Sequence, residues 1–261
     1  MGTDRHRGDW AARLAVAGIL LGALAGCTAA AAHARPPRVI PAAAAPRYTS
    51  HGSVDRRWVA QTARLRARVR ADEGARLVLI GDSLTARWLT VGAPDWQAAM
   101  APLGALDLGL SGDTTQNVLW RIERGELTGL QPRAVVLLIG TNDFADHWSP
   151  VEVTQGILAV AQRVRAVLPV TPVVLLALLP RGDYLFDPAL VSQVDADLHR
   201  AEMPAGVTLI DLTSRFITLD GDLIAPLYMP DRLHLSNAGY EVLAAGIGPV
   251  VDPLLAGGPT R

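Results

Sequence analysis

The chain has 261 residues, of which 50% are hydrophobic, and it carries a formal net charge of −1. This length suits one substantial domain behind an N-terminal export segment. Acidic and basic residues are scattered along the sequence, so no cluster of positive charge points to DNA or RNA as a partner.

Residues 1–34 have the pattern of an export signal. Three arginines precede an apolar run over residues 14–24, which is too short to span a bilayer comfortably. Cys27 is the only cysteine and ends the tetrapeptide LAGC, which resembles the lipobox of bacterial lipoproteins, where the cysteine is lipidated. Ordinary signal-peptide cleavage after Ala34 fits the same small residues. We therefore expect export to a bacterial cell envelope, with a lipid anchor at Cys27 or as a periplasmic or secreted protein.

A region rich in Ala and Pro follows over residues 35–53 and lacks apolar periodicity, which predicts a flexible tether. In the domain predicted over residues 54–255, short apolar runs alternate with amphipathic stretches of helical length. The predicted strands are residues 77–80, 105–108, 134–139, 173–178 and 207–211, and the predicted helices are residues 58–70, 116–124, 151–168, 190–202 and 236–247. This order predicts an α/β fold with three α/β/α layers and a flavodoxin-like, doubly wound sheet of five parallel strands.

Polar residues follow each of the first three predicted strands. They read GDS at 81–83, SGD at 111–113 and GTND at 140–143. Ligands of such sheets bind at the carboxyl ends of the strands, so we expect the three clusters to share one rim.

Ser83 follows a strand and opens a helix, where it serves either as a helix cap or as a nucleophile. A serine nucleophile needs a base, and three of the six histidines lie in the predicted domain. His199 lies in a charged helical stretch typical of a solvated surface, and His147 follows the third strand. His234 is the stronger candidate because Asp231 precedes it by three residues, close enough to hold the imidazole.

Donors for an oxyanion are also available at the predicted rim. They are the backbone N–H groups of Ser83 and Gly112 and the side-chain amide of Asn142. Each has a structural alternative, since Gly112 suits a tight turn and Asn142 an Asx-turn.

Four sequence blocks together resemble the SGNH hydrolases, also called GDSL lipases and acylhydrolases. They are GDSL at 81–84, GLSGDT at 109–114, GTND at 140–143 and DRLH at 231–234. Within that family, residues 57–61 and 112–127 look most like the catalytic subunits of platelet-activating-factor acetylhydrolase and their bacterial relatives. One departure is Asp107, where many relatives carry Asn.

This resemblance implies roles for individual residues. Ser83 is the expected nucleophile, His234 the general base and acid, and Asp231 the acid that orients it. The expected oxyanion hole consists of Ser83, Gly112 and Asn142. The resemblance requires neither a metal nor an organic cofactor, and it suggests a homodimer.

We therefore expect a serine esterase that hydrolyses a small acylated lipid or carbohydrate through an acyl-serine. Two alternatives stay open: an envelope polysaccharide O-acyltransferase on the same triad, and a non-catalytic sugar- or lipid-binding module. Substrate choice is expected to lie in residues 179–187, with Arg181, and in residues 217–230. Aromatic side chains are candidates to line an acyl or sugar site, namely Trp88, Trp148, Phe186 and Tyr228.

Overall fold

The structure is a computed structural model that describes residues 42–183 and 187–257. The expected export signal, with Cys27, and Phe186 lie outside these residues. Within the described part of the chain, no helix is long and apolar enough to cross a membrane.

One parallel sheet forms the centre of the domain. Its strands are β1 (Leu77–Gly81), β2 (Ala105–Gly109), β3 (Ala134–Leu138), β4 (Val173–Leu176) and β5 (Val207–Ile210). The strand order is β2-β1-β3-β4-β5, and every neighbouring pair is parallel. Four of the strands are nearly continuous runs of aliphatic residues, as expected for strands covered on both faces. The predicted flavodoxin-like sheet is confirmed.

Helices cover both faces of the sheet. The α-helices of the described residues are α1 (Arg56–Ala71), α2 (Ser83–Ala86), α3 (Ala93–Asp95), α4 (Thr115–Glu123), α5 (Pro150–Val167), α6 (Pro188–Arg200) and α7 (Asn237–Ala256). Alternate side chains of β1 enter different cores: Val78 and Ile80 pack with α1, α4, α5 and α6, whereas Leu77 and Leu79 pack with α2 and α7. The result is the predicted three-layer architecture.

The last helix is longer than the sequence predicts. We expect it to end at residue 247, but α7 continues to Ala256 and contains Pro249 and Pro253. Proline lacks an N–H and disfavours a helix interior, which is why the prediction stopped too early. Burial of Val251 and Leu255 in the core offsets that cost.

Part of the predicted tether packs on the domain. Ala45 is buried, and its N–H donates to the Gln116 carbonyl at 3.1 Å. Arg47 donates to an Asp113 carboxylate oxygen at 2.9 Å. Composition indicated a free segment here, but the attraction between Arg47 and a buried carboxylate fixes this stretch.

Candidate active site

The turn after β1 places Ser83 at the carboxyl edge of the sheet. Gly81 ends the strand at a point where a Cβ would lie 2.4 Å from the Leu138 carbonyl oxygen, so only glycine fits. Asp82 caps α2 by accepting the Leu84 N–H at 2.8 Å. Because Ser83 is the first residue of α2, its own N–H has no intrahelical acceptor. The sequence thus separates the two roles, with Asp82 as the cap and Ser83 available for chemistry.

A loop before α7 brings His234 to Ser83. His234 Nε2 lies 2.9 Å from Ser83 Oγ, and His234 Nδ1 lies 2.7 Å from an Asp231 carboxylate oxygen. With Nδ1–H donating to Asp231, Nε2 is left to accept the Ser83 proton. The tight loop requires Arg232 to adopt a left-handed backbone, with φ of 55°. The three predicted side chains therefore form one continuous hydrogen-bonded series.

Asp231 is held in its ionised form. Burial is the largest single influence on its pKa and raises it, but hydrogen bonds from His234 and Leu233, with the His234 charge, outweigh burial and lower the pKa below its usual value. The His234 N–H donates to Asp231 at 2.9 Å and the Leu233 N–H at 3.1 Å. A charged Asp231 can both orient the imidazole and stabilise an imidazolium.

Hydrogen bonds link the predicted oxyanion segments to one another. The Leu110 N–H donates to the Gly81 carbonyl at 3.1 Å, which ties the second block to the first. The Asn142 side-chain amide donates to the Asp113 carbonyl at 3.0 Å, which ties the third block to the second. Gly112 lies in the turn between β2 and α4 with φ of +76°, a conformation that favours glycine. All three segments thus meet at the carboxyl edge.

A buried ionic network lies behind these segments, and sequence reasoning missed it. Arg121 of α4 is fully buried and lies 2.8 Å from Asp113 and 2.6 Å from Glu126. Arg121 also donates to the Leu108 carbonyl at 2.9 Å, and the Trp58 indole N–H donates to Asp113 at 2.6 Å. The sequence did hold one signal of this burial: Arg121 lies three residues after Val118, on the buried face of α4.

Three buried carboxyl groups near this edge have unusual proton affinity. Burial raises the pKa of Asp82, Asp107 and Asp143 to about 7 in each case. Asp107 accepts the Gly109 N–H at 2.6 Å through one oxygen, and its other oxygen has no hydrogen-bond partner among the described residues. A neutral side chain would suit this position.

The structure places several other candidates in different surroundings. His147 is exposed on a left-handed turn, and His199 pairs with Asp211 at the surface. Arg181 is buried against protein acceptors. The described members of the expected aromatic lining are buried in the two cores, where their large apolar rings pack: Trp88, Trp148 and Tyr228.

The fold and the site together define the class of protein: an ester-hydrolysing enzyme with a three-layer α/β/α fold. The family model for the GDSL-like lipase/acylhydrolase family matches residues 79–242. The chain belongs to that family.

Curated relatives agree with this class. Platelet-activating factor acetylhydrolase IB subunit alpha1 of Rattus norvegicus is 37% identical over 205 residues, which cover 77% of this chain and 85% of the relative. The alpha2 subunit of Homo sapiens is 32% identical, with coverage of 77% and 86%. Among solved structures, a GDSL-like lipase from Bacteroides thetaiotaomicron superposes with a TM-score of 0.58 at 21% identity, covering 76% of this chain and 96% of that one. At 21% identity, the similarity to this lipase structure shows a shared fold and nothing more.

Proposed function

We propose that the chain is a serine esterase that removes a short acyl group, such as acetyl, from a small lipid or carbohydrate. The observation that carries the proposal is the series Asp231–His234–Ser83, with 2.7 Å and 2.9 Å between the consecutive polar atoms. The names of the relatives, which are acetylhydrolase subunits, support acetyl as the group that is removed.

In the first step, His234 Nε2 takes the proton of Ser83 as Oγ attacks the acyl carbonyl carbon. The tetrahedral intermediate collapses when the C–O bond to the alcohol breaks and His234 returns the proton to the leaving oxygen. The alcohol departs and the acyl group stays on Ser83 as an ester. Asp231 stabilises the transient positive charge on His234.

In the second step, a water molecule replaces the alcohol. His234 removes a proton from the water, which attacks the acyl-serine carbonyl carbon, and Ser83 Oγ leaves with that proton. The products are a carboxylic acid and the free enzyme. Both tetrahedral intermediates carry a negative oxygen, for which we assign the Ser83 and Gly112 N–H groups and the Asn142 amide as donors.

We further propose that the enzyme acts in the cell envelope, held there by lipidation of Cys27. The support is the LAGC tetrapeptide behind the basic and apolar N-terminal segments. The full chain, expressed in a bacterial host, should appear in the membrane fraction, and Cys27→Ser should release it. A variant that stays bound to membranes as strongly as the parent would contradict lipid anchoring.

The proposed reaction is tested with Ser83→Ala and p-nitrophenyl acetate. We expect kcat to fall by about 10⁵-fold, towards the uncatalysed rate, because the nucleophile is gone. Ser111→Ala is the matched control, since Ser111 lies on an exposed turn at the same edge and should keep full activity. Labelling by a fluorophosphonate should disappear with Ser83 and persist in the control. Full hydrolysis by Ser83→Ala would overturn the assignment.

A further inference from the structure

We propose that Arg181 is a positioning residue, which fixes the oxyanion donor Asn142 relative to the loop of Asp231 and His234 without touching the substrate. The inference rests on the proposed function, because it assigns Arg181 to the same reaction. It also replaces the expectation that Arg181 selects substrates.

The first observation is the contact between Arg181 and the segment that carries Asn142. Arg181 Nη1 donates to the Thr141 carbonyl at 2.8 Å and to the Thr141 hydroxyl at 2.9 Å. Thr141 directly precedes Asn142, so the guanidinium holds the peptide unit from which the amide side chain projects. Hydrogen bonds from a charged donor are roughly twice as strong as neutral ones.

The second observation is that the opposite side of the guanidinium is occupied as well. Nε and Nη2 of Arg181 donate to the two carboxylate oxygens of Asp183 at 2.6 Å and 2.7 Å. Only 5% of Arg181 is exposed. Burying an arginine is costly unless a paired carboxylate compensates it, and Asp183 provides that pair. Each nitrogen of the Arg181 guanidinium therefore donates to a protein acceptor, and the side chain is buried away from solvent.

The third observation is that the neighbours of Arg181 contact the His234 loop. The Gly182 N–H donates to the Arg232 carbonyl at 2.9 Å. On the other side, the Tyr228 hydroxyl donates to the Pro180 carbonyl at 2.7 Å. Residues 180–182 thus join the segment of Asn142 to the loop that holds the catalytic histidine.

Gly182 packs closely against side chains in this connection. A Cβ on Gly182 would lie 2.7 Å from Leu223 Cδ1 and 2.8 Å from Arg232 Nε. Gly182 is thus both bonded to and packed against the loop of Asp231 and His234, so we expect a displacement at Arg181 to shift that loop as well as Thr141.

The consequence concerns the transition state. An oxyanion donor stabilises charge only if it lies at hydrogen-bond distance from the developing negative oxygen, and small misplacements are costly. Loosening Thr141 should therefore reduce stabilisation of the tetrahedral intermediate more than binding of the neutral ester. This predicts a lower kcat with an unchanged KM.

The test uses the full chain with Arg181→Lys, and the double variant Arg181→Gln/Asp183→Asn, which leaves no unpaired buried charge. Kinetics on p-nitrophenyl acetate and inhibition by phenylboronic acid are measured for each. The boronate forms a negatively charged tetrahedral adduct with a serine and so reports on the oxyanion donors. We expect kcat and boronate affinity to fall together by about 10- to 100-fold, with KM within about twofold.

Arg165→Lys is the matched control. Arg165 also donates to backbone carbonyls, including that of Ala205 at 2.9 Å, but these carbonyls precede β4 and β5 at the opposite edge of the sheet. Its replacement should lower the melting temperature and leave kcat, KM and boronate affinity unchanged.

The outcomes separate the two proposals. A folded Arg181 variant that keeps parental kcat and boronate affinity overturns the positioning role, and so does a raised KM with unchanged kcat, which would indicate substrate contact. If Arg165→Lys loses boronate affinity as strongly, the effect is general loosening and the inference fails. A parent protein that neither hydrolyses the ester nor binds the boronate would instead remove the proposed function, and the inference with it.

Discussion

Two histidine–aspartate pairs of the described residues, both within reach of solvent, differ in their third partner. In the first, His234 contacts Asp231 at 2.7 Å, and in the second His199 contacts Asp211 at 3.1 Å. Only His234 has a hydroxyl at its other ring nitrogen, that of Ser83 at 2.9 Å. The side chain of His234 is 13% exposed, against 53% for His199.

The two pairs also differ in how the chain builds them. Asp231 and His234 lie in one short loop, and backbone N–H groups of that loop bind the carboxylate. His199 comes from α6, whereas Asp211 follows β5, so that pair joins two elements at the surface. A histidine held by a carboxylate is thus insufficient to mark a catalytic site. The contact with a serine hydroxyl and the lower exposure of the histidine distinguish the first pair.

Within this comparison, the largest expected effect comes from removing the carboxylate of the first pair. Asp231→Asn should lower kcat by about 10⁴-fold, because the amide neither stabilises an imidazolium nor enforces the same tautomer. Asp211→Asn should leave kcat within about twofold, since His199 contacts no nucleophile. Both are measured on p-nitrophenyl acetate, after circular dichroism has shown that the variants fold. Equal losses of kcat in the two variants would contradict the conclusion that only the first pair takes part in the reaction.

Sequence reasoning selected the three residues of the hydrogen-bonded series because they lie in short-range patterns. Asp231 and His234 are three residues apart, and Ser83 follows an apolar strand directly. The parallel sheet then brings the ends of β1 and β3 to one edge, so that topology alone joins Ser83 and Asn142 in one region. The strands were predicted to within two residues because buried parallel strands are nearly continuous aliphatic runs.

The supporting residues could not be found in this way. Arg181 meets Thr141 across 40 residues of sequence. A polar loop residue looks the same whether it faces a substrate or is buried against a carboxylate, so composition suggested a specificity role. Arg121 poses the same difficulty, because an arginine on the apolar face of a helix can extend to water instead of being buried. The carboxylates that pair with Arg121, those of Asp113 and Glu126, are near it in sequence, and what the sequence does not show is that all three side chains are buried together.

The smallest expected effect tests whether the second pair is only a surface ion pair. Burial raises the pKa of Asp211, but hydrogen bonds from Thr213 and His199 outweigh it and lower the pKa below its usual value. A carboxylate whose pKa is lower in the folded state stabilises the fold above its unfolded pKa, and this stabilisation is lost as the pH falls through the folded value. Asp211→Asn should therefore reduce the free energy of unfolding at pH 7 by less than about 1 kcal/mol.

Urea unfolding at pH 7 and pH 3, at low and high salt, measures this contribution. The difference between Asp211→Asn and the parent should shrink at pH 3, because below the unfolded pKa the unfolded parent chain gains a proton at Asp211 and the folded chain loses part of its advantage. High salt at pH 7 should reduce it as well, since exposed ion pairs are screened. A loss above about 2 kcal/mol that persists under both conditions would show that Asp211 supports the fold by accepting the hydrogen bond from the Thr213 N–H. The two pairs would then differ in structural role as well as in chemistry.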